Sequence, residues 1–211
     1  MGTEQRTPEW YARRVGKVTA SRVVDVLART KNGWGASRYN YRADLVAERL
    51  TGLVPDGGFV SEAMARGIEL EEKARAAYEF YTGNKLTLID FVDHPSIAMA
   101  GASPDAFAGD DGLLELKCPN TATHIEWLLG GTVPKKYRDQ MDWQMACTGK
   151  LWCDFASFDD RLPEDMQLFV RRQVRDPARM VDVTGAVVEF LREVDETVAA
   201  LIAKCRERQA A

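Results

Sequence analysis

The chain has 211 residues, 45% of them apolar, and a net charge of −4, which suits a globular protein that buries a real core. No apolar run approaches the roughly 20 residues needed to cross a bilayer, and Met1 to Trp10 holds no apolar signal segment, so the expected setting is cytoplasmic, without a membrane partner. Four widely spaced cysteines, Cys118, Cys147, Cys153 and Cys205, form no C-x-x-C pair and fit reduced thiols, which argues against a zinc or iron–sulfur site.

Charge is unevenly spread. Residues 1–49 carry ten Lys/Arg against five Asp/Glu, and the remainder 18 against 27. A polyanion would be met by the basic N-terminal region, not by the whole surface. An Arg-rich solvated helical surface gives the same count, so composition does not separate the two.

The N-terminal third reads helical. Thr19 or Ser21 can cap a helix running to about Arg29, with Val23, Val24 and Leu27 as its inward face. Lys31 to Gly35 reads as a loop, and a helix follows from about Ser37 to Leu50. A longer helix runs from about Ser61 to Tyr81, stopped by Gly83-Asn84. Short apolar runs then predict strands at Leu86–Val92, Ile97–Ala102, Asp105–Ala108 and Gly112–Cys118, with Gly109-Asp110-Asp111 as a turn. Helices are expected at about Thr121–Leu129 and Pro134–Thr148, and strands near Leu151–Phe158 and Gln167–Arg175. The tail from about Pro177 to Arg208 repeats Met180, Val183, Val187, Leu191, Val194, Val198 and Leu201 at helical spacing, a stripe for core or subunit contact. This order is α+β or mixed α/β, with a largely antiparallel central sheet, and the whole of 1–211 is read as one domain.

The chemistry concentrates in Ser103-Pro104-Asp105 and Leu114-Glu115-Leu116-Lys117-Cys118-Pro119. Residues two apart on a strand share a face, so Glu115 and Lys117 point one way while Leu114, Leu116 and Cys118 point the other. A two-residue turn would pair Asp105 with Leu116, on the wrong face. A three-residue loop, Gly109 to Asp111, sets Asp105 opposite Glu115, so an odd loop or a bulge is expected. Two converging carboxylates repel unless a cation lies between them. Hard oxygen donors, with the Leu116 carbonyl as a further ligand, suit Mg²⁺ or Mn²⁺ and not zinc. Lys117 beside them can orient or deprotonate a water and hold a phosphate oxygen, the parts that phosphodiester hydrolysis needs. An ordinary hairpin with a surface Glu115–Lys117 ion pair is the competing reading. The apolar setting Gly-Leu-Leu-Glu-Leu-Lys-Cys-Pro counts against it, because charges in a buried strand are costly.

At these residues the sequence resembles the PD-(D/E)XK nucleases, and more narrowly the lambda exonuclease and YqaJ-type viral recombinase family. The match also takes in Glu9-Trp10, Arg14-Val15-Gly16, Val18-Thr19-Ala20-Ser21, Arg66-Gly67 with Glu71, Gly130-Gly131 and Tyr137-x-x-Gln140, over roughly residues 8–175. The resemblance implies a restriction-endonuclease-like core with a mixed central sheet, an N-terminal helical region and a long C-terminal helix. It implies a 5′-to-3′ exonuclease on linear duplex DNA that uses two Mg²⁺ ions and favours 5′-phosphorylated ends. It also implies a homotrimeric ring, a single-strand annealing protein as recombination partner, and a bacterial or phage-infected cell.

Carried across by position, the resemblance makes Asp105, Glu115 and the Leu116 carbonyl metal ligands and Lys117 the group that serves the attacking water. Glu71 would support a second ion, directly or through water. Met64, Ile68, Glu71 and Tyr78 share one helical face, so this acid is expected within an apolar stripe, with an i,i+4 pair to Arg75 as the plainer alternative. Arg14, Ser21 and Ser103 match a pocket for the terminal 5′-phosphate, a use that suits an Arg fork and hydroxyls near a helix start. Ser21 as a mere helix cap and Arg14 as a solvated arginine are the plainer readings. Gln140 is assigned to phosphate contact or to support of the metal ligands, ahead of Gln144. Met64 matches an apolar wedge between terminal base pairs, against simple core packing. Lys31 matches a groove-tracking cation, against a solvated loop residue.

Two alternatives remain open at this stage: another PD-(D/E)XK enzyme that cuts internally, and a non-catalytic DNA-binding or partner-recruiting module. Closed circular DNA separates the first, since an exonuclease leaves it intact. The intact Asp105, Glu115 and Lys117 argue against the second.

Overall fold

The computed structural model describes residues 5–53 and 62–210, without the side chains of 62–65. Helix α1 (Pro8–Arg14) starts at Thr7, whose hydroxyl accepts from the Trp10 N–H at 3.2 Å, with Pro8 where a missing N–H does no harm. Strand β1 (Val18–Thr19) follows, then a 3₁₀ turn over Ala20–Arg22 and the short helix α2 (Val23–Val26). The helix expected to reach Arg29 therefore ends early. Its inward residues are Val23 and Val26, while Val24 is 40% exposed. The change from 3₁₀ to α winding rotates the face, and Arg29 is already extended in β2 (Arg29–Thr30). That strand pairs with β3 (Gly33–Trp34) as a tight hairpin, where the sequence suggested a loop over Lys31 to Gly35.

Helix α3 (Ala36–Thr51) and helix α4 (Glu62–Thr82) come next. The expected start at Ser61 lies outside the described residues. The buried face of α4 is Leu70, Ala74 and Tyr78, whereas Ile68 is 43% exposed. Glu71 therefore does not sit in an apolar stripe, as its spacing suggested. It lies on the flank of α4, facing a cleft.

The strand expected over Leu86–Val92 splits into β4 (Leu86–Thr87) and β5 (Val92–Asp93), which join different sheets. Strand β6 (Ala100–Ala102) begins only after the turns that precede it. It pairs antiparallel with β5 and parallel with β1, giving a three-stranded sheet. Strands β7 (Ala106–Ala108), β8 (Gly112–Lys117), β9 (Trp152–Phe158) and β10 (Leu168–Val174) complete a five-stranded sheet in the order β10-β9-β8-β7-β4. Only β8–β9 is parallel in that sheet, because α5 (Thr121–Gly130) and α6 (Lys135–Thr148) carry the chain back between them. The sheet is thus mixed.

The two faces of β8 belong to different cores. Leu114 and Leu116 pack with Ala106, Ala108, Ala156 and Phe158 against Leu70, Ala74 and Tyr78 of α4. Leu113 faces the other way, into the larger core built on α6 and on α7 (Pro177–Ala210). Along α7, Met180, Val183, Val187, Leu191 and Val194 are buried, and Leu201 further along is 42% exposed. Gly112 allows β8 to begin here: a Cβ on it would lie 2.1 Å from the Trp152 ring. Among the described residues no helix is long and apolar enough to cross a membrane.

Candidate active site

The loop between β7 and β8 is Gly109-Asp110-Asp111, and Ala106 pairs with Leu114, Phe107 with Leu113 and Ala108 with Gly112. Gly109, at φ +57°, takes the left-handed conformation that a three-residue hairpin loop requires. Continuing this register sets Asp105 opposite Glu115. The Asp105 N–H donates to the Leu114 carbonyl at 3.2 Å, and its Oδ2 accepts from the Leu116 N–H at 2.6 Å. The hairpin thus delivers both acids and Lys117 to one side of the sheet.

Glu115 is 1% exposed, yet both of its oxygens are occupied. Oε1 accepts from Gln140 Nε2 at 2.8 Å and is in direct contact with the Lys117 ammonium; Oε2 accepts from Gln144 Nε2 at 2.6 Å. The same ammonium stands 3.8 Å from Asp105 Oδ2 and 5.5 Å from the centre of the Tyr137 ring. Tyr137 stacks on Phe155, which meets Trp127 edge-on, so an aromatic floor fixes the lysine from below. Burial, joined by the charges of Glu115 and Glu71 and opposed by Lys117 and the Leu116 N–H, pushes the Asp105 carboxyl up to about 7. Burial alone would lower the Lys117 pKa, but Glu115 and Asp105 outweigh it and hold the group above the usual lysine range. In this charge arrangement Lys117 is an ammonium that donates to Glu115 and neutralises it.

Glu71 lines a cleft of about 700 Å³ together with Gln5, Arg6, Arg75, Asp105 and Leu116. Its Oε1 lies 2.6 Å from Arg6 and its Oε2 lies 3.7 Å from Arg75, so the i,i+4 pair is present alongside a second ion pair. Among the described residues no group of three or more His, Cys, Asp or Glu side chains surrounds a single point. Two acids meet and a third borders the same cleft. The donor set is nonetheless all oxygen, and Asp105 and Glu115 face the same side of the sheet with Lys117 as their shared cation. Asp105, Glu115, the Leu116 carbonyl and Glu71 therefore fit a hard divalent cation. Burial first, then Glu71, pushes the Cys118 thiol up to about 12, which leaves it protonated and outside the donor set.

A second group of residues gathers around Ser103. Its hydroxyl oxygen accepts from Trp10 Nε1 at 3.0 Å and from Arg14 at 3.1 Å, leaving its own proton free to donate. The Arg14 guanidinium lies 3.9 Å from the Trp10 ring centre and forms no ion pair among the described residues. Neighbouring Arg13, by contrast, is tied to Asp90 and the Phe91 carbonyl. Ser21 is exposed on the 3₁₀ turn and shares none of these bonds; the parallel register of β1 on β6 brings it to the same end of the sheet as Ser103. Lys31 is exposed at the tip of the β2–β3 hairpin and is not drawn into the cluster. Met64 falls within α4, but its side chain lies outside the described residues.

Sequence reasoning ranked Gln144 below Gln140, yet both hold Glu115. Their four-residue spacing on one helix was the signal for taking them together. It passed over Arg6 and gave Trp10 no role.

Residues 9–151 match the family model described as YqaJ-like viral recombinase domain. The chain belongs to that family. It is similar at 50% identity to the crystal structure of LHK-Exo in complex with dAMP, covering 95% of this chain and 99% of that one with a TM-score of 0.88. The structure of the alkaline exonuclease LHK-Exo from Laribacter hongkongensis matches equally, with 50% identity, the same coverage of 95% and 99%, and a TM-score of 0.87. A phage-related exonuclease from Haemophilus somnus 129PT shares the fold at 14% identity, covering 88% of this chain and 96% of that chain, with a TM-score of 0.69. No curated protein matches the chain in sequence. The fold is that of the PD-(D/E)XK exonucleases, and the family supports a nuclease role for this YqaJ-like chain.

Proposed function

We propose that the chain is a single nuclease domain that degrades one strand of linear duplex DNA in the 5′-to-3′ direction from phosphorylated ends, leaving a 3′ single strand for annealing-type recombination. The observation that carries this reading is the meeting of Asp105, Glu115 and Lys117 on one side of β8, with Glu115 fixed by two amides. Asp105, Glu115, the Leu116 carbonyl and Glu71 would hold Mg²⁺, two ions in all, with Mn²⁺ as a substitute. When bound, these ions supply positive charge against the charge developing on the phosphoryl and leaving oxygens. Lys117 orients the attacking water and steadies a phosphate oxygen. Gln140 and Gln144 keep Glu115 aimed.

Arg14 and Ser103, with Ser21 near the same sheet end, would grip the terminal 5′-phosphate. An Arg fork and a hydroxyl with a free proton make two kinds of donor for its oxygens. A homotrimeric ring around the duplex would explain how a chain of net charge −4 holds DNA, since only the channel need be basic. Lys31 would follow the groove, Met64 would wedge the terminal pair, and an annealing protein would receive the product strand.

The test is Mg²⁺-dependent digestion of linear duplexes ending in 5′-phosphate, 5′-hydroxyl or a blocked group, beside closed circular DNA. Phosphorylated linear ends should be consumed fastest and the circle left intact. Cutting of the circle would replace the exonuclease with an internally cutting relative.

A further inference from the structure

Gln5 and Arg6 line the cleft, and Thr7 follows them in the chain. Thr7 caps α1. Gln5 donates through Nε2 to the carbonyls of Ile89 and Pro104, both at 2.9 Å, which ties this segment to the backbone leading into Asp105. Between them Arg6 takes a φ of +72°, and among the described residues no other non-glycine has a positive φ. A side chain adopts that conformation only where its surroundings hold it. The result is a guanidinium over the cleft, 2.6 Å from Glu71 Oε1 and 47% exposed.

Asp105, Glu115 and Glu71 thus each have a cation from the chain itself: Lys117 for Asp105 and Glu115, Arg75 and Arg6 for Glu71. Lys117 and Arg75 belong to the strand and helix that carry the acids. Arg6 comes from elsewhere and, being half in solvent, can leave without opening a core.

We propose that Arg6 is a substrate-contacting residue that rests on Glu71 until a divalent ion takes that carboxylate, then passes to a phosphate of the strand in the cleft. The inference rests on the nuclease reading above. A guanidinium and a divalent ion compete for the same oxygen, and once the ion is in place the two repel. Arg6 is then free to turn to a phosphate of the substrate, which its planar fork matches.

Two measurements on the full chain test this with wild type, Arg6→Ala and Arg6→Lys. Mn²⁺ binding without DNA is followed by electron paramagnetic resonance, and duplex affinity is measured with Ca²⁺ in place of Mg²⁺. Removing a competing charge a few ångströms away should let Arg6→Ala bind Mn²⁺ roughly three- to tenfold more tightly. The same variant should bind duplex roughly three- to tenfold more weakly, with a log–log salt slope smaller by about 0.9. Arg6→Lys should keep wild-type Mn²⁺ affinity. Weaker Mn²⁺ binding by Arg6→Ala would mean that Arg6 merely props Glu71, and unchanged Mn²⁺ or DNA affinity would also overturn the exchange. Absence of Mn²⁺ uptake by wild type would remove the metal reading and this inference with it. Uptake by wild type without tightening in Arg6→Ala removes the inference alone.

Discussion

Gln144 and Glu115 share a 2.6 Å hydrogen bond sealed from solvent, the amide 0% and the carboxylate 1% exposed. The Cys153 thiol donates to Gln144 Oε1 at 3.7 Å, which fixes which way the amide points. Burying a carboxylate this deep is costly unless its lone pairs are met. Gln144→Ala leaves Oε2 without its donor, at a cost of about 1–3 kcal/mol. For a chain of this size each kcal/mol lowers Tm by about 2–4 °C. Thermal unfolding should show that loss, and Gln140→Ala, at the oxygen that Lys117 also meets, should lose less stability while still losing turnover. Equal Tm for wild type and Gln144→Ala would mean the bond contributes nothing.

Lys117 is the group through which Asp105 and Glu115 are held together in the absence of other cations. Lys117→Ala removes the donor that orients water and steadies phosphate, and turnover should fall by roughly 10²- to 10⁴-fold. Duplex binding in Ca²⁺ should persist, because the phosphate contacts proposed for Arg14 and Ser103 are untouched. Gel-shift and single-turnover cleavage assays read the two effects separately. Cleavage at the wild-type rate would remove the mechanism.

Arg14 owes its place to Trp10 and Ser103, not to a carboxylate. A guanidinium parked on a ring and a hydroxyl keeps most of its donors for a ligand. Arg14→Ala should abolish the difference in initial rate between 5′-phosphate and 5′-hydroxyl ends while changing the rate on 5′-hydroxyl ends little. Arg14→Lys should restore only part of the difference, since a point charge lacks the fork. If both ends remain as distinct as in wild type, the pocket lies elsewhere.

The site was legible where a local rule decides it. The alternation in Leu114-Glu115-Leu116-Lys117 fixes two faces, and the parity of the Gly109–Asp111 loop fixes which face Asp105 joins. Reading failed where tertiary contact decides. Leu86 to Val92 is apolar enough for one strand, but Asp90 inside it is buried against Arg13 and the chain changes sheets there. On α4 the spacing of Met64, Ile68, Glu71 and Tyr78 suggests the inward face, but Leu70 and Ala74 join Tyr78 there instead; the small Ala74, which lets the helix approach β8, was the overlooked sign. Arg6 was invisible because its partner is 65 residues away and its backbone conformation is one that propensity disfavours.

The hairpin itself offers the sharpest separation of stability from function. Gly109 sits at φ +57°, and a Cβ there would meet only Asn84 Oδ1, at 3.8 Å. Gly109→Ala is therefore sterically free, and its cost is the left-handed backbone alone, about 1 kcal/mol. Gly109→Asn should cost less, because asparagine tolerates that region. Neither change alters the number of loop residues, so Asp105 stays opposite Glu115 and cleavage per folded molecule should match wild type. Denaturant melts at a temperature where both variants are folded, paired with cleavage rates on the same samples, test this. A loss of cleavage in Gly109→Ala larger than its loss of folded protein would show that the acid pair depends on the loop for more than register.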